Sequence, residues 1–176
     1  MLTTYNIQIL GDLNVGKTTI TKNIFFNDKC QDANKTLGVE YYSKFYDDIL
    51  VKLNIWDHGG DECYLNITHS YIRKCDIFII VFDLSDINSF QKVNNWFNLI
   101  KDNCITNYRS ILIGNKSDIN TINKSIVSKF IKENDIIYFK CNSITNENIK
   151  NVYNYIFKII KPENYNKHKH SFCKCM

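Results

Sequence analysis

The chain has 176 residues, 44% of them hydrophobic and 23% charged, with 22 basic against 18 acidic side chains. That length suits one compact domain and scarcely two, and the composition builds an ordinary core, which excludes a disordered chain. The formal charge of +4 creates no demand for a nucleic-acid partner, because surface lysines alone produce such a balance.

No secretory leader is expected, since LTTYNIQIL is interrupted by polar residues and runs directly into Gly11 and Asp12. The first strand is predicted over 5–10, and the first helix over Lys17–Phe26, with Ile20, Ile24 and Phe25 at helical spacing. Alternating stretches over 39–46 and 49–56, joined at Asp47-Asp48, predict a hairpin. The apolar run 77–82 predicts a buried strand and is far too short to cross a bilayer. A helix is predicted over 88–104, with Val93, Trp96, Phe97 and Ile100 on one stripe. A strand over 110–113, a helix over 122–133, a strand over 136–139 and a helix over 148–160 complete the order. Strands alternating with amphipathic helices predict an α/β fold in three layers, its six-stranded sheet mostly parallel with one antiparallel edge strand. Pro162 closes the domain, which is expected to span 1–161, with a polar tail over 162–176.

Seven cysteines are present. Cys30, Cys63, Cys75, Cys104 and Cys141 have no paired spacing, and an odd count without a leader predicts reduced cytosolic thiols. Cys173 and Cys175 stand apart in the tail.

Between the first strand and the first helix lies GDLNVGKTT, residues 11–19. Gly11-x4-Gly16-Lys17-Thr18 is a complete phosphate-loop pattern, and strand, loop and helix stand in the order that its mechanism requires. Glycines allow successive backbone N–H groups of Leu13, Asn14, Val15 and Gly16 to face phosphate oxygens, and the helix start beside Lys17 and Thr19 adds its positive end. Lys17 is expected to reach the β- and γ-phosphates and the Thr18 hydroxyl to ligate Mg²⁺. Asp57-x-x-Gly60 follows the third strand, where a carboxylate can hold Mg²⁺ and a glycine N–H can meet a γ-phosphate. Asn115-Lys116-Ser117-Asp118 follows the fifth strand. Asp118 can accept both N1–H and N2–H₂ of guanine, a match that adenine cannot make.

Taken with these motifs, the chain resembles the Ras superfamily of small GTPases over residues 5–160, and within it the Rab branch. TLGVEYY, residues 36–42, is similar to the first switch segment, and YIRKCDIFIIVFDLSDINSFQKVNNW, residues 71–96, to the Rab pattern that follows the second switch. The resemblance implies that Thr36 supplies a Mg²⁺ ligand and a backbone contact to the γ-phosphate. It implies that Lys17, Thr36 and Gly60 assist catalysis, and that Asn142-Ser143-Ile144 forms the guanine loop, of which the Ser143 N–H transfers. It further implies GTP and GDP as ligands; effector, exchange-factor and GTPase-activating partners on the switches; a monomer; and residence on the cytoplasmic face of an intracellular membrane with a cytosolic pool.

Several positions depart from that family pattern. WDHGGDE, residues 56–62, aligns with WDTAGQE, so Asp61 stands where a catalytic glutamine orients the attacking water. Asp is shorter, offers no donor when ionised and adds negative charge beside an anionic phosphate, so slow hydrolysis is expected. Leu13 would crowd an incoming arginine finger, and Lys29-Cys30 replaces an aromatic that stacks on guanine. Ile144 lacks the lysine of the usual guanine loop.

The tail, HKHSFCKCM, permits lipidation in two ways. Cys173 could be farnesylated within a C-a-a-X box, or Cys173 and Cys175 could both carry geranylgeranyl as in a Rab tail. Either arrangement, helped by Lys161, Lys167, Lys169 and Lys174, could anchor the chain to a membrane. Metal capture by His168, His170, Cys173 and Cys175 and unmodified thiols are the alternatives. Three further readings stand beside a traffic switch: a GTP-binding scaffold that hardly hydrolyses, a Ras-like signalling GTPase, and a small-molecule kinase, against which Asp118 argues.

Overall fold

The computed structural model describes residues 2–28, 35–61, 65–119 and 121–161. Lys29, Cys30, Glu62 and the tail over 162–176, including both candidate lipidation cysteines, lie outside the described residues. Six strands form one sheet: β1 Thr3–Gly11, β2 Val39–Tyr46, β3 Val51–His58, β4 Ile77–Asp83, β5 Arg109–Asn115 and β6 Ile137–Lys140. Their order is β2-β3-β1-β4-β5-β6, and every pairing is parallel except β2 with β3. The helices are α1 Lys17–Phe26, α2 Leu65–Ile72, α3 Ile87–Gln91, α4 Val93–Asn103, α5 Lys124–Asn134 and α6 Ile149–Ile160.

The pleat divides the apolar residues between two cores. Ile7 and Ile9 of β1, Ile77, Ile79 and Val81 of β4, and Ile111 and Ile113 of β5 face α1 and α6. Leu10, Phe78, Ile80, Phe82 and Leu112 face the opposite way, toward the Val93, Trp96, Phe97 and Ile100 stripe of α4. Both faces of β4 are therefore buried, which explains its unbroken apolar run. The sheet thus forms the middle of three layers.

Two elements differ from expectation. The single helix expected over 88–104 is broken at Lys92 into α3 and α4. Ser89 and Phe90 of α3 are buried, and Lys92, whose φ of −71° and ψ of −15° stay in the helical region, joins the two helices and pairs with Asp12 of the phosphate loop, Nζ to Oδ2 at 3.0 Å. Helix α2, within LNITHSYI, went unpredicted because its polar residues mask any apolar period, although Ile72 is fully buried against the α4 side. The hairpin also shifts: Ile49 and Leu50 belong to the turn, where Leu50 has φ of 51°, and β3 runs on to His58.

Because five strands run parallel, their carboxyl ends lie along one edge of the sheet. The loops leaving β1, β3, β4, β5 and β6 all open there, which is where open α/β sheets bind ligands.

Candidate nucleotide site

At that edge the loop from β1 to α1 turns around Gly16, whose φ of 93° is in the left-handed region. A Cβ at Gly16 would lie 2.4 Å from Asn115 Nδ2, so both backbone shape and close approach require glycine. Lys17 opens α1 and is buried, with Nζ donating to Asp12 O at 2.6 Å and to Gly59 O at 3.5 Å. Burial pulls its pKa down to about 8, against the pull of Asp57 and Asp12. The ammonium therefore stays mostly charged at neutral pH in a pocket with no full salt bridge to satisfy it.

Thr18 Oγ1 lies 3.0 Å from Thr36 Oγ1 and donates to Asp57 Oδ2 at 2.5 Å. Three oxygen-bearing side chains from α1, the segment before β2, and β3 thus meet at one point. Asp57 is 0% exposed, and its Oδ1 is buried with no hydrogen-bond partner. Burial pushes its carboxyl up to about 6, although the Thr18 hydroxyl and the Lys17 charge oppose the rise. An orphaned buried carboxylate oxygen beside two hydroxyls is the donor set of a hard divalent cation, and Mg²⁺ fits it. Gly60 backs onto Lys17: a Cβ there would lie 2.5 Å from Nζ.

The far end of the crevice is built by Asn115 and Asn142. Asn115 Nδ2 donates to Val15 O at 2.9 Å and Ser143 Oγ at 3.1 Å, and Oδ1 accepts from Ser143 N at 3.0 Å. It ties the phosphate loop to the 142–144 loop. The Ser143 N–H expected to meet the base is thus turned onto Asn115. Asn142 Nδ2 donates to Asp118 Oδ1 at 2.6 Å, while its Oδ1 accepts from Ile144 N at 2.9 Å and Thr145 N at 3.0 Å. Lys116 Nζ pairs with Asp83 Oδ2 at 2.6 Å. Burial would raise the Asp83 carboxyl, but that ammonium and the donors of Ser85 outweigh it and hold it below the usual carboxylate range. A cavity of about 280 Å³ joins the two ends, bordered by Leu13, Lys17, Lys35, Thr36, Lys116 and Ile144 among others.

Asp61 pairs with Lys35, which borders the cavity, its Oδ2 lying 3.4 Å from Lys35 Nζ. Nearby, His58 is buried and held by Gln8 Oε1 at 2.8 Å from Nε2 and Thr68 Oγ1 at 3.1 Å from Nδ1. Burial, with some help from the Lys17 charge, depresses its pKa to about 3, so the ring is neutral. Gln8 Nε2 also donates to Tyr71 O, so one network fastens α2 to β1 and β3. Outside the crevice Tyr41, Trp56 and Tyr71 form an aromatic row, with centroid spacings of 5.5 Å and 6.0 Å. The sequence singled out neither Lys35, Asp83 nor the Gln8–His58 pair for this site. Asp83 had a signal in its place at a strand end; Lys35 and Gln8 carried none.

A buried lysine on a strand–loop–helix turn, a cation-ready oxygen cluster and, at the far end of the same crevice, the Asp118 carboxylate held by Asn142 define a phosphate-loop nucleotide-binding domain. The Ras family model matches residues 6–162. A "Probable Rab-related GTPase" of Acanthamoeba polyphaga mimivirus is 31% identical over 156 residues, covering 85% of this chain and 73% of that protein. "Ras-related protein Rab-11B" of Dictyostelium discoideum is 28% identical over 159 residues, covering 88% and 72%, and "Ras-related protein Rab-32D" of the same organism is 31% identical over 153 residues, covering 81% and 67%. The chain belongs to the Ras superfamily of small GTPases and is Rab-like. Members of this family bind GTP and GDP and hydrolyse GTP.

Proposed function

We propose that this chain is a Rab-type switch in vesicle traffic that binds GTP or GDP with Mg²⁺ and hydrolyses GTP slowly. The observation that carries the reading is the meeting of Thr18, Thr36 and Asp57 around one orphaned carboxylate oxygen. Thr36 brings the segment before β2 to the phosphate end, so the state of the γ-phosphate can order or release that segment. Mg²⁺, when bound through Thr18, Thr36 and Asp57, would neutralise charge on the phosphates. Lys17 holds the phosphates from below, Gly60 offers its N–H from the side, and the main-chain groups of Leu13, Asn14, Val15, Gly16 and Thr19 line the loop. At the base end Asp118, positioned by Asn142, selects guanine, with Asn115, Lys116, Ser143 and Ile144 around it. The Tyr41–Trp56–Tyr71 row, with Tyr41 and Tyr71 exposed and Trp56 half-buried between them, supports docking of effectors and regulators there. Cys173 and Cys175 are proposed to carry prenyl groups that hold the protein on the cytoplasmic face of an intracellular membrane.

Asp61 favours a second reading, a GTP-bound scaffold that scarcely cycles. Its carboxylate is turned toward Lys35 and has no amide to orient water. Single-turnover GTP hydrolysis separates the two readings. Asp61→Gln is expected to raise the rate by about tenfold or more, since one oriented hydrogen bond to developing charge contributes roughly 1.5–3 kcal/mol. Chelating Mg²⁺ is expected to abolish turnover in both proteins. A rate unchanged by Asp61→Gln would show that another group positions the water.

A further inference from the structure

The two switches touch along one seam at the mouth of the site. Gly59 N–H donates to Gly38 O at 2.8 Å. A Cβ at Gly59 would lie 2.5 Å from Thr36 O and 3.3 Å from Gly38 O, so glycine there lets the backbones close to a distance that alanine would prevent. At the outer end of the seam Lys35, next in sequence to Thr36, meets Asp61, next to Gly60, at 3.4 Å. Lys35 also borders the phosphate cavity, where Lys17 is the only other cation at that end among the bordering residues.

We propose that Lys35 and Asp61 form an ion-pair clasp between the two switches that closes the mouth of the phosphate site over bound triphosphate and slows its release. This rests on the GTP-binding reading. Asp61, which cannot do the work of an amide, instead fixes the Lys35 ammonium over the phosphate end. Lys35 then both covers the nucleotide and offsets the charge that Asp61 would otherwise bring to it. The side chains are 53% and 31% exposed, so solvent weakens the pair and the effect on release is expected to be modest. Its leverage comes from position: it joins two segments that both border the phosphate cavity, and the Gly59 contact beneath it already brings them together.

The test measures dissociation of a fluorescent, non-hydrolysable GTP analogue with Mg²⁺ and excess unlabelled GTP, for wild type, Lys35→Ala, Asp61→Ala and the double variant. Each single change is expected to speed release by about two- to fivefold. The double variant should be no faster than the faster single variant, because each change alone already opens the clasp. Asp61→Glu, which keeps the charge, should release at close to the wild-type rate, whereas Asp61→Asn should behave like Asp61→Ala. Multiplying effects in the double variant, or slower release from Asp61→Ala, would overturn the clasp while leaving nucleotide binding intact. A wild type that binds no guanine nucleotide would overturn both the clasp and the reading beneath it.

Discussion

Asn142→Asp changes one atom of the base pocket and reverses its effect on Asp118. In the native protein the Asn142 amide donates to Asp118 Oδ1 at 2.6 Å, while its oxygen receives the N–H groups of Ile144 and Thr145. The substituted carboxylate keeps the acceptor role and so preserves the loop. It replaces the donor by negative charge. A hydrogen bond to an ionised group contributes roughly 1.5–3 kcal/mol, and the new repulsion adds about 1 kcal/mol after solvent screening, since Asp118 is exposed. Asp118 would swing away to relieve this, and guanine would lose its two-point partner. At 1.4 kcal/mol per tenfold, the affinity for GDP is expected to fall between about sixtyfold and about seven hundredfold. Titration with a fluorescent GDP, alongside thermal melts of the same samples, measures binding and loop integrity separately. Unchanged affinity in a protein that melts normally would refute the positioning role of Asn142 and weaken the assignment of Asp118 to the base.

Acid should destabilise the fold partly through His58, whose folded pKa of about 3 lies below the ordinary 6.5. The unfolded chain then binds the proton that the folded ring refuses, so stability is fully present above pH 6.5 and is lost as pH falls toward 3. Between pH 7 and pH 5 this amounts to about 2 kcal/mol, and His58→Gln should remove that part of the pH dependence in urea unfolding; an equal loss in both proteins would count against it. Replacing Cys173 and Cys175 together by Ser should move the protein from membranes to cytosol without altering nucleotide binding. Mass spectrometry of the native tail should find one or two prenyl groups, and bound zinc without lipid would support metal capture instead.

Much of the fold was legible because the signals were local. Apolar runs over 77–82 and 110–113 report strands buried on both faces, and Gly16-Lys17-Thr18 reports a turn that few other sequences can make. Spacing could not show how elements share a site. Lys35 looks like a surface lysine until the fold brings Asp61 to it across an interval of 26 residues. Gln8 sits between the core residues Ile7 and Ile9 of β1, and its purpose appears only when His58 arrives from β3. Helix α2 was hidden because Asn66, Thr68, His69 and Ser70 interrupt its apolar residues, and its anchoring is shared between the buried Ile72 and the Thr68 bond to His58. The Ser143 N–H was assigned to the base by analogy, whereas it donates to Asn115 Oδ1 at 3.0 Å, a partner that lies 28 residues away and that spacing could not supply. In each case the sequence displayed the residue, and only the tertiary approach displayed the partner.

Nucleotide selectivity tests the central claim most directly. Purified protein, stripped of bound nucleotide and offered equal GTP and ATP with Mg²⁺, is expected to retain GTP almost exclusively, because the two acceptor oxygens of Asp118 match guanine and not adenine. Asp118→Asn should lose that preference and turn toward xanthine nucleotides. Equal retention of ATP and GTP by the wild type would contradict the account.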